Sequence, residues 1–275
     1  MRARWPEYAI EGAGLGTFML VACALGVLLS HPASPVVQAL PDALARRTLM
    51  GLTMGLTAVA LIYSPWGRRS GAHFNPATTL TFWRLGKLDT RDAVAYAITQ
   101  VLGGLGGVLV AARALGGPLA HPDVRYVATV PGAGGAPVAF AAEVVIAFVL
   151  MSVVLRVSND AALAPFTGLA AGALVALFIT LEAPLSGMSL NPARSLASAM
   201  PAGVWNAFWI YVVAAPLGMV AAAEVYVRRR GAQAVYCAKL HHGDGPCIFR
   251  CRRAELRAAA ASRARRDVSQ AQTAR

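Results

Sequence analysis

Apolar blocks of about membrane-crossing length alternate with short polar stretches along the whole chain. Six stand out, at about 8–30, 47–64, 92–114, 138–156, 162–182 and 204–227. As helices they match the roughly 20 residues needed to cross a hydrocarbon core about 30 Å thick. The competing reading is a very apolar soluble helical bundle. Two further segments, about 75–84 and 191–200, read as helices but reach only half a bilayer at ~1.5 Å per residue. The pattern predicts an all-α membrane protein with six transmembrane helices and two half-spans. The first block contains Glu11 and runs on to about Ser30, so it reads as an uncleaved first span rather than a signal peptide.

The two half-segments begin alike. SGAHFNPATTL opens at Ser70 and MSLNPARSL at Met188, so Asn75-Pro76-Ala77 returns as Asn191-Pro192-Ala193, 116 residues on. Proline suits the first helical position, where its missing N–H has no intrahelical partner. Asparagine before it caps the helix through its side-chain oxygen and keeps an NH₂ group for other acceptors. The spans repeat as well: Glu11 opens the first block of one half and Glu143 that of the other. Glu11 precedes Asn75 by 64 residues and Glu143 precedes Asn191 by 48, an excess of 16 that fits the extra loop HPASPVVQALPDALARR. With three spans and one half-segment each, the halves lie in opposite orientations. Such an inverted repeat places the functional site near the midplane. Two half-helices would meet there tip to tip, each tip carrying roughly half a positive charge. A water between the two asparagines would accept hydrogen bonds from both and turn its hydrogens away from its neighbours. That arrangement opposes proton hopping and cation passage.

Composition agrees with a membrane protein: 57% of residues are apolar and only 14% charged, against about 25% charged in soluble domains. The net charge of +12 is distributed as topology demands. With both termini in the cytoplasm, that side holds Arg2, Arg4, Arg68, Arg69, Arg84, Lys87, Arg91, Arg156 and the tail. The opposite side holds Arg46, Arg47, Arg113 and Arg125. The tail from Arg228 carries 12 of the 25 basic residues, so the charge gives no ground for a nucleic-acid partner. A secondary transporter would need acidic ion ligands beside the half-helix tips. None lies within ten residues of Asn75, and only Glu182 lies near Asn191. No Ser/His/Asp arrangement, P-loop or intramembrane metal motif points to an enzyme.

Over residues 8–228 the chain resembles the aquaporins of the major intrinsic protein family. The resemblance rests on GAHFNPATTL, GMSLNPARSL and the paired span openings at Glu11 and Glu143. It implies an aquaporin-like bundle of six tilted spans and two re-entrant half-helices, with one pore per subunit of a homotetramer. It implies passage of water, with small neutral solutes, across a plasma or inner membrane, without a required cofactor. Glu11 and Glu143 then become the buried carboxylates that hold the re-entrant loops, and His73 a loop histidine at the cytoplasmic vestibule. A proton-coupling carboxylate is the competing role for the glutamates.

By the same resemblance Arg194 lines the narrowest part of the pore, with Met188 and Ile179 as neighbours. Aligning Gly55–Thr57 selects Met54 as the fourth member, although MGLT occurs twice, at Met50 and Met54, and the register can slip. Ile179 stands where strict water channels carry histidine, and the aromatic pair of glycerol facilitators is missing. Ser195, Ala199 and Phe208-Trp209 lean instead to the water-channel branch. A glycerol, urea or metalloid facilitator is the alternative function.

The division expected is a channel domain over 1–230 and a basic Cys/His-containing cytoplasmic tail over 231–275. The family resemblance does not reach that tail, which reads CAKLHHGDGPCIFRC from Cys237. Cys237, His241 or His242, Cys247 and Cys251 could complete a tetrahedral zinc site, with Gly243, Gly245 and Pro246 supplying the turn. We take Cys237, His241, Cys247 and Cys251 as the candidate set. The competing reading is an unstructured basic tail that binds anionic lipid.

Overall fold

A computed structural model describes residues 4–243 and 247–256 of the chain. Arg2, Gly245, Pro246 and the tail beyond residue 256 lie outside the described residues. Six long helices and two short ones build the bundle: α1 (Trp5–Ser30), α2 (Ala43–Tyr63), α3 (Pro76–Arg84), α4 (Thr90–Leu115), α5 (Gly135–Ser158), α6 (Thr167–Leu181), α7 (Pro192–Ala202) and α8 (Trp209–Arg230). Helices α3 and α7 are the half-spans. Each starts with proline at the first turn behind an asparagine cap, whose side-chain oxygen accepts the N–H of Ala77 or Ala193. The chain is an all-α membrane protein. Five of the long helices are apolar enough to cross a bilayer by length and composition. The remaining long helix, α2, carries Arg46 and Arg47 in its first turns, which lower its mean hydropathy.

The inverted repeat is visible in the packing. Helix α1 packs most extensively on α4, and its counterpart α5 on α8, while α2 and α6 pair across the two halves. Glycines permit these close approaches. A Cβ on Gly103 would stand 2.0 Å from the Gly12 carbonyl oxygen, and one on Gly107 would stand 2.1 Å from that of Gly16. Across α2 and α6, Gly55 and Gly172 fit against each other in the same way, at 2.5 and 2.6 Å. In lipid no hydrophobic force drives helices together, so small residues that bring backbones into contact supply much of the packing energy. Large apolar side chains such as Leu52, Leu56, Leu102 and Val145 are exposed on the outside of the bundle, the reverse of a soluble core.

The described part of the tail packs on the bundle. Val235, Cys237, Ala238, Leu240 and Phe249 belong to the same buried cluster as Phe82, Tyr96 and Met151 of the bundle.

Candidate functional site: a cavity between two half-helix tips

The site is built on two loops of matching shape. In each, a Ser-Gly pair ends a short helix and turns the chain through a left-handed glycine: Ser70-Gly71, φ 104°, and Ser186-Gly187, φ 85°. The next residues stay left-handed although they have side chains: Ala72 (φ 58°) and Phe74 (φ 47°) in one loop, Met188 (φ 50°) and Leu190 (φ 57°) in the other. Such residues cost of order 1–3 kcal/mol each and persist only where their surroundings over-determine them.

The buried glutamates provide that support. Glu11 Oε1 accepts the Ser70 hydroxyl at 2.7 Å and the His73 N–H at 3.1 Å. Its Oε2 accepts the Phe74 N–H at 2.5 Å and the Gln100 amide at 2.8 Å. Glu143 repeats the arrangement with the Ser186 hydroxyl (2.7 Å), the Ser189 N–H (2.6 Å) and the Leu190 N–H (2.9 Å). A tyrosine from each half closes the loop: Tyr96 donates to the Ser70 carbonyl and Tyr211 to the Ser186 carbonyl, both at 2.6 Å. Ser70, Ser186, Tyr96, Tyr211 and Gln100 were not singled out from the sequence. The Ser-Gly pair directly before both loop repeats was the available signal.

The tips are also stitched to each other. Asn75 Nδ2 donates to the Leu190 carbonyl at 2.7 Å, and Asn191 Nδ2 donates to the Phe74 carbonyl at 2.8 Å. One amide hydrogen of each asparagine is thus spent on the opposite loop. The second remains for whatever lies in the cavity that both residues line.

That cavity measures about 270 Å³ and follows the length of α2. Arg47, Met50, Met54, Ala58 and Ile62 all contribute to its wall, a stripe of about 22 Å at ~1.5 Å rise per residue. Met54, Ile179, Met188 and Arg194 line it together, and Met50 does so as well, one turn from Met54. Arg194 is partly buried there, and its buried Nη1 has no hydrogen-bond partner among the described residues. The walls are otherwise mostly apolar, with Leu15, Phe18, Val175 and Ile179 among them.

A model of the family described as Major intrinsic protein matches residues 9–226. The chain belongs to the major intrinsic protein family. Among curated relatives of this family member, aquaporin NIP1-1 of Arabidopsis thaliana is 38% identical over 77% of the chain and 70% of the relative. Aquaporin NIP1-2 of rice, Oryza sativa subsp. japonica, is 35% identical over 77% of the chain and 68% of the relative. The X-ray structure of the aquaglyceroporin from Plasmodium falciparum shares the fold, with a TM-score of 0.63 at 20% identity, covering 82% of the chain and 96% of that structure.

The family match ends before the tail, where the structure corrects one expectation. His242, not His241, joins the cysteines. The His242 Nε2 lies 3.1 Å from Cys251 Sγ, whereas the His241 ring packs edge-on against Tyr63 with centroids 4.6 Å apart. His73 lines the cavity and also touches the tail. Its Nε2 meets the Ala238 carbonyl of the tail at 2.9 Å, and its ring stacks between Phe82 and Phe249.

Proposed function

We propose that this major intrinsic protein is a passive pore for water, with small uncharged solutes as secondary passengers, that excludes protons and ions. One observation carries the reading. Two inverted half-helix tips, each capped by an asparagine that keeps a donor, meet on the wall of one cavity that also holds Arg194. The helix dipoles and the guanidinium repel cations. A water held by both asparagines directs its own hydrogens outward along the pore, which breaks a proton wire. Met54, Ile179, Met188 and Arg194 form the selectivity filter in this proposal. The names of the plant relatives, which are aquaporins, support it.

The apolar character of three of those four residues favours a second reading, a facilitator of glycerol-like or urea-like solutes. Apolar walls offer water little to replace its lost hydrogen bonds but accept a carbon skeleton. We place both termini in the cytoplasm on the Lys/Arg distribution, the protein in a plasma or inner membrane, and four copies in a homotetramer with one pore each. The test is light scattering of proteoliposomes under osmotic shock, with water, glycerol and urea compared side by side, for the wild type and Ile179→His. The proposal expects water to pass fastest and the histidine variant to lower solute passage relative to water. Unchanged ratios would remove Ile179 from the filter. Glycerol or urea outrunning water in the wild type would favour the second reading.

A further inference from the structure

The three tail cysteines and one histidine converge. The metal-ligating atoms of Cys237, His242, Cys247 and Cys251 all lie within 4.8 Å of one another. Cys237 Sγ and Cys247 Sγ are 3.6 Å apart, and His242 Nε2 and Cys251 Sγ are 3.1 Å apart. A tetrahedral zinc with Zn–S near 2.3 Å and Zn–N near 2.0 Å needs ligand separations of roughly 3.5–3.8 Å, so small side-chain adjustments would seat the ion.

The surroundings suit a metal rather than a chance gathering of thiols. The Nδ1 of His242 meets the Gly243 carbonyl at 2.7 Å. That contact places the ring proton on Nδ1 and leaves the Nε2 lone pair facing the sulfurs, the usual orienting partner of a ligand histidine. Three thiolates and one Zn²⁺ leave a net charge of −1, with Lys87, Lys239 and Arg253 close by. Arg253 Nη1 donates to the His242 carbonyl at 2.9 Å.

The cluster sits beside the tail-side mouth of the cavity. Three consecutive residues next to Cys237 grip the loop that leads into Asn75: the Ala238 carbonyl meets His73 Nε2 at 2.9 Å, Lys239 Nζ donates to the Arg68 carbonyl at 2.8 Å, and the Leu240 N–H donates to the Gly71 carbonyl at 3.0 Å. Leu240 itself forms part of the cavity wall. On the far side of the cluster, the Arg250 N–H donates to the Lys87 carbonyl at 3.0 Å.

We propose that Cys237, His242, Cys247 and Cys251 bind one zinc ion, and that the ion fastens residues 238–240 against the tail-side mouth of the pore and narrows it. The second half of this proposal rests on the channel reading above; the metal site does not. Closing a short loop through four ligands stores folding energy in a segment whose described residues, from Cys237 to Cys251, form no helix or strand.

The test uses full-length protein purified without a histidine tag or chelator. Elemental analysis should find about one zinc per chain, and Co²⁺ exchange should give the visible absorption of a tetrahedral thiolate site. Cys237→Ser/Cys251→Ser and His242→Ala should each fall below about a tenth of an equivalent, while His241→Ala keeps its zinc. These positions lie beyond the residues that the family model matches, so the bundle survives as a reference. Wild-type protein with less than about a tenth of an equivalent, or with a Cys237–Cys247 disulfide found by mass spectrometry, overturns the site. Osmotic water permeability should be severalfold higher in the zinc-free double variant than in the zinc-loaded wild type. Equal permeability in the two overturns the narrowing while leaving the metal site standing. A wild type and a variant that are both impermeable count against the channel reading instead.

Discussion

At the residue scale the decisive groups are two carboxylates, and their task is structural. Glu11 and Glu143 are fully buried and spend their oxygens on the backbone N–H groups of left-handed loops. A charge so placed is tolerable because several donors surround it. Glu143→Gln should reveal the dependence. An amide offers one oxygen and turns an NH₂ toward donors, so at least one of the Ser186, Ser189 and Leu190 donors loses its acceptor. The expected loss is about 3 kcal/mol, read as a fall of roughly 5–10 °C in the thermal midpoint of detergent-solubilised protein, with the water permeability reduced. An unchanged midpoint would show that the loop holds its shape without the charge. The spacing of Glu11 and Glu143 made these residues legible in the sequence. The serines and tyrosines that complete the loops were not, because a lone Tyr96 or Tyr211 in an apolar span reads as ordinary packing until its hydroxyl is seen to reach a loop carbonyl.

At the element scale the bundle is assembled at glycine crossings. Gly103 and Gly106 lie on the same helix, α4, yet their surroundings differ: a Cβ on Gly103 meets the Gly12 carbonyl at 2.0 Å, while one on Gly106 has nothing within 4 Å. Gly103→Ala should therefore destabilise by about 1–3 kcal/mol through forced separation of α1 and α4. Gly106→Ala should be neutral or stabilising by up to about 1 kcal/mol through helix propensity. Thermal midpoints of the two variants check this, and equal effects would contradict the crossing geometry. All six spans and both half-helices were readable to within a few residues, because apolar length and the Asn-Pro cap are strong local signals. The short helices Pro65–Ser70 and Ala183–Ser186 were not, since six and four residues carry no periodicity. The tail's docking on the bundle was hidden for the same reason. Its contacts are backbone hydrogen bonds and scattered single side chains, polar ones such as Lys239 and Arg250 and apolar ones such as Leu240 and Phe249, which leave no pattern along the chain. The choice between His241 and His242 depended on which way an irregular backbone faces.

At the scale of the whole molecule, a sequence repeat 116 residues apart becomes an approximate two-fold relation between loops, caps and supporting side chains. Two opposed half-helices, of nine and eleven residues, then place their positive ends on one cavity. In the proposed function, that symmetry lets the two positive helix ends oppose cations arriving from either side. Arg194 breaks the symmetry, since Thr78 stands at the matching position of the first half-helix. One mouth therefore carries the guanidinium, and the other is bordered by the tail.

The central claim, that water crosses while protons do not, has a direct measurement. Proteoliposomes loaded with a pH-sensitive dye are subjected to an osmotic step and, separately, to a pH step with the potential clamped by a potassium ionophore. Shrinkage should be much faster than in protein-free liposomes, while the pH gradient decays no faster than in those same controls. A gradient that collapses as quickly as the vesicles shrink would contradict the account.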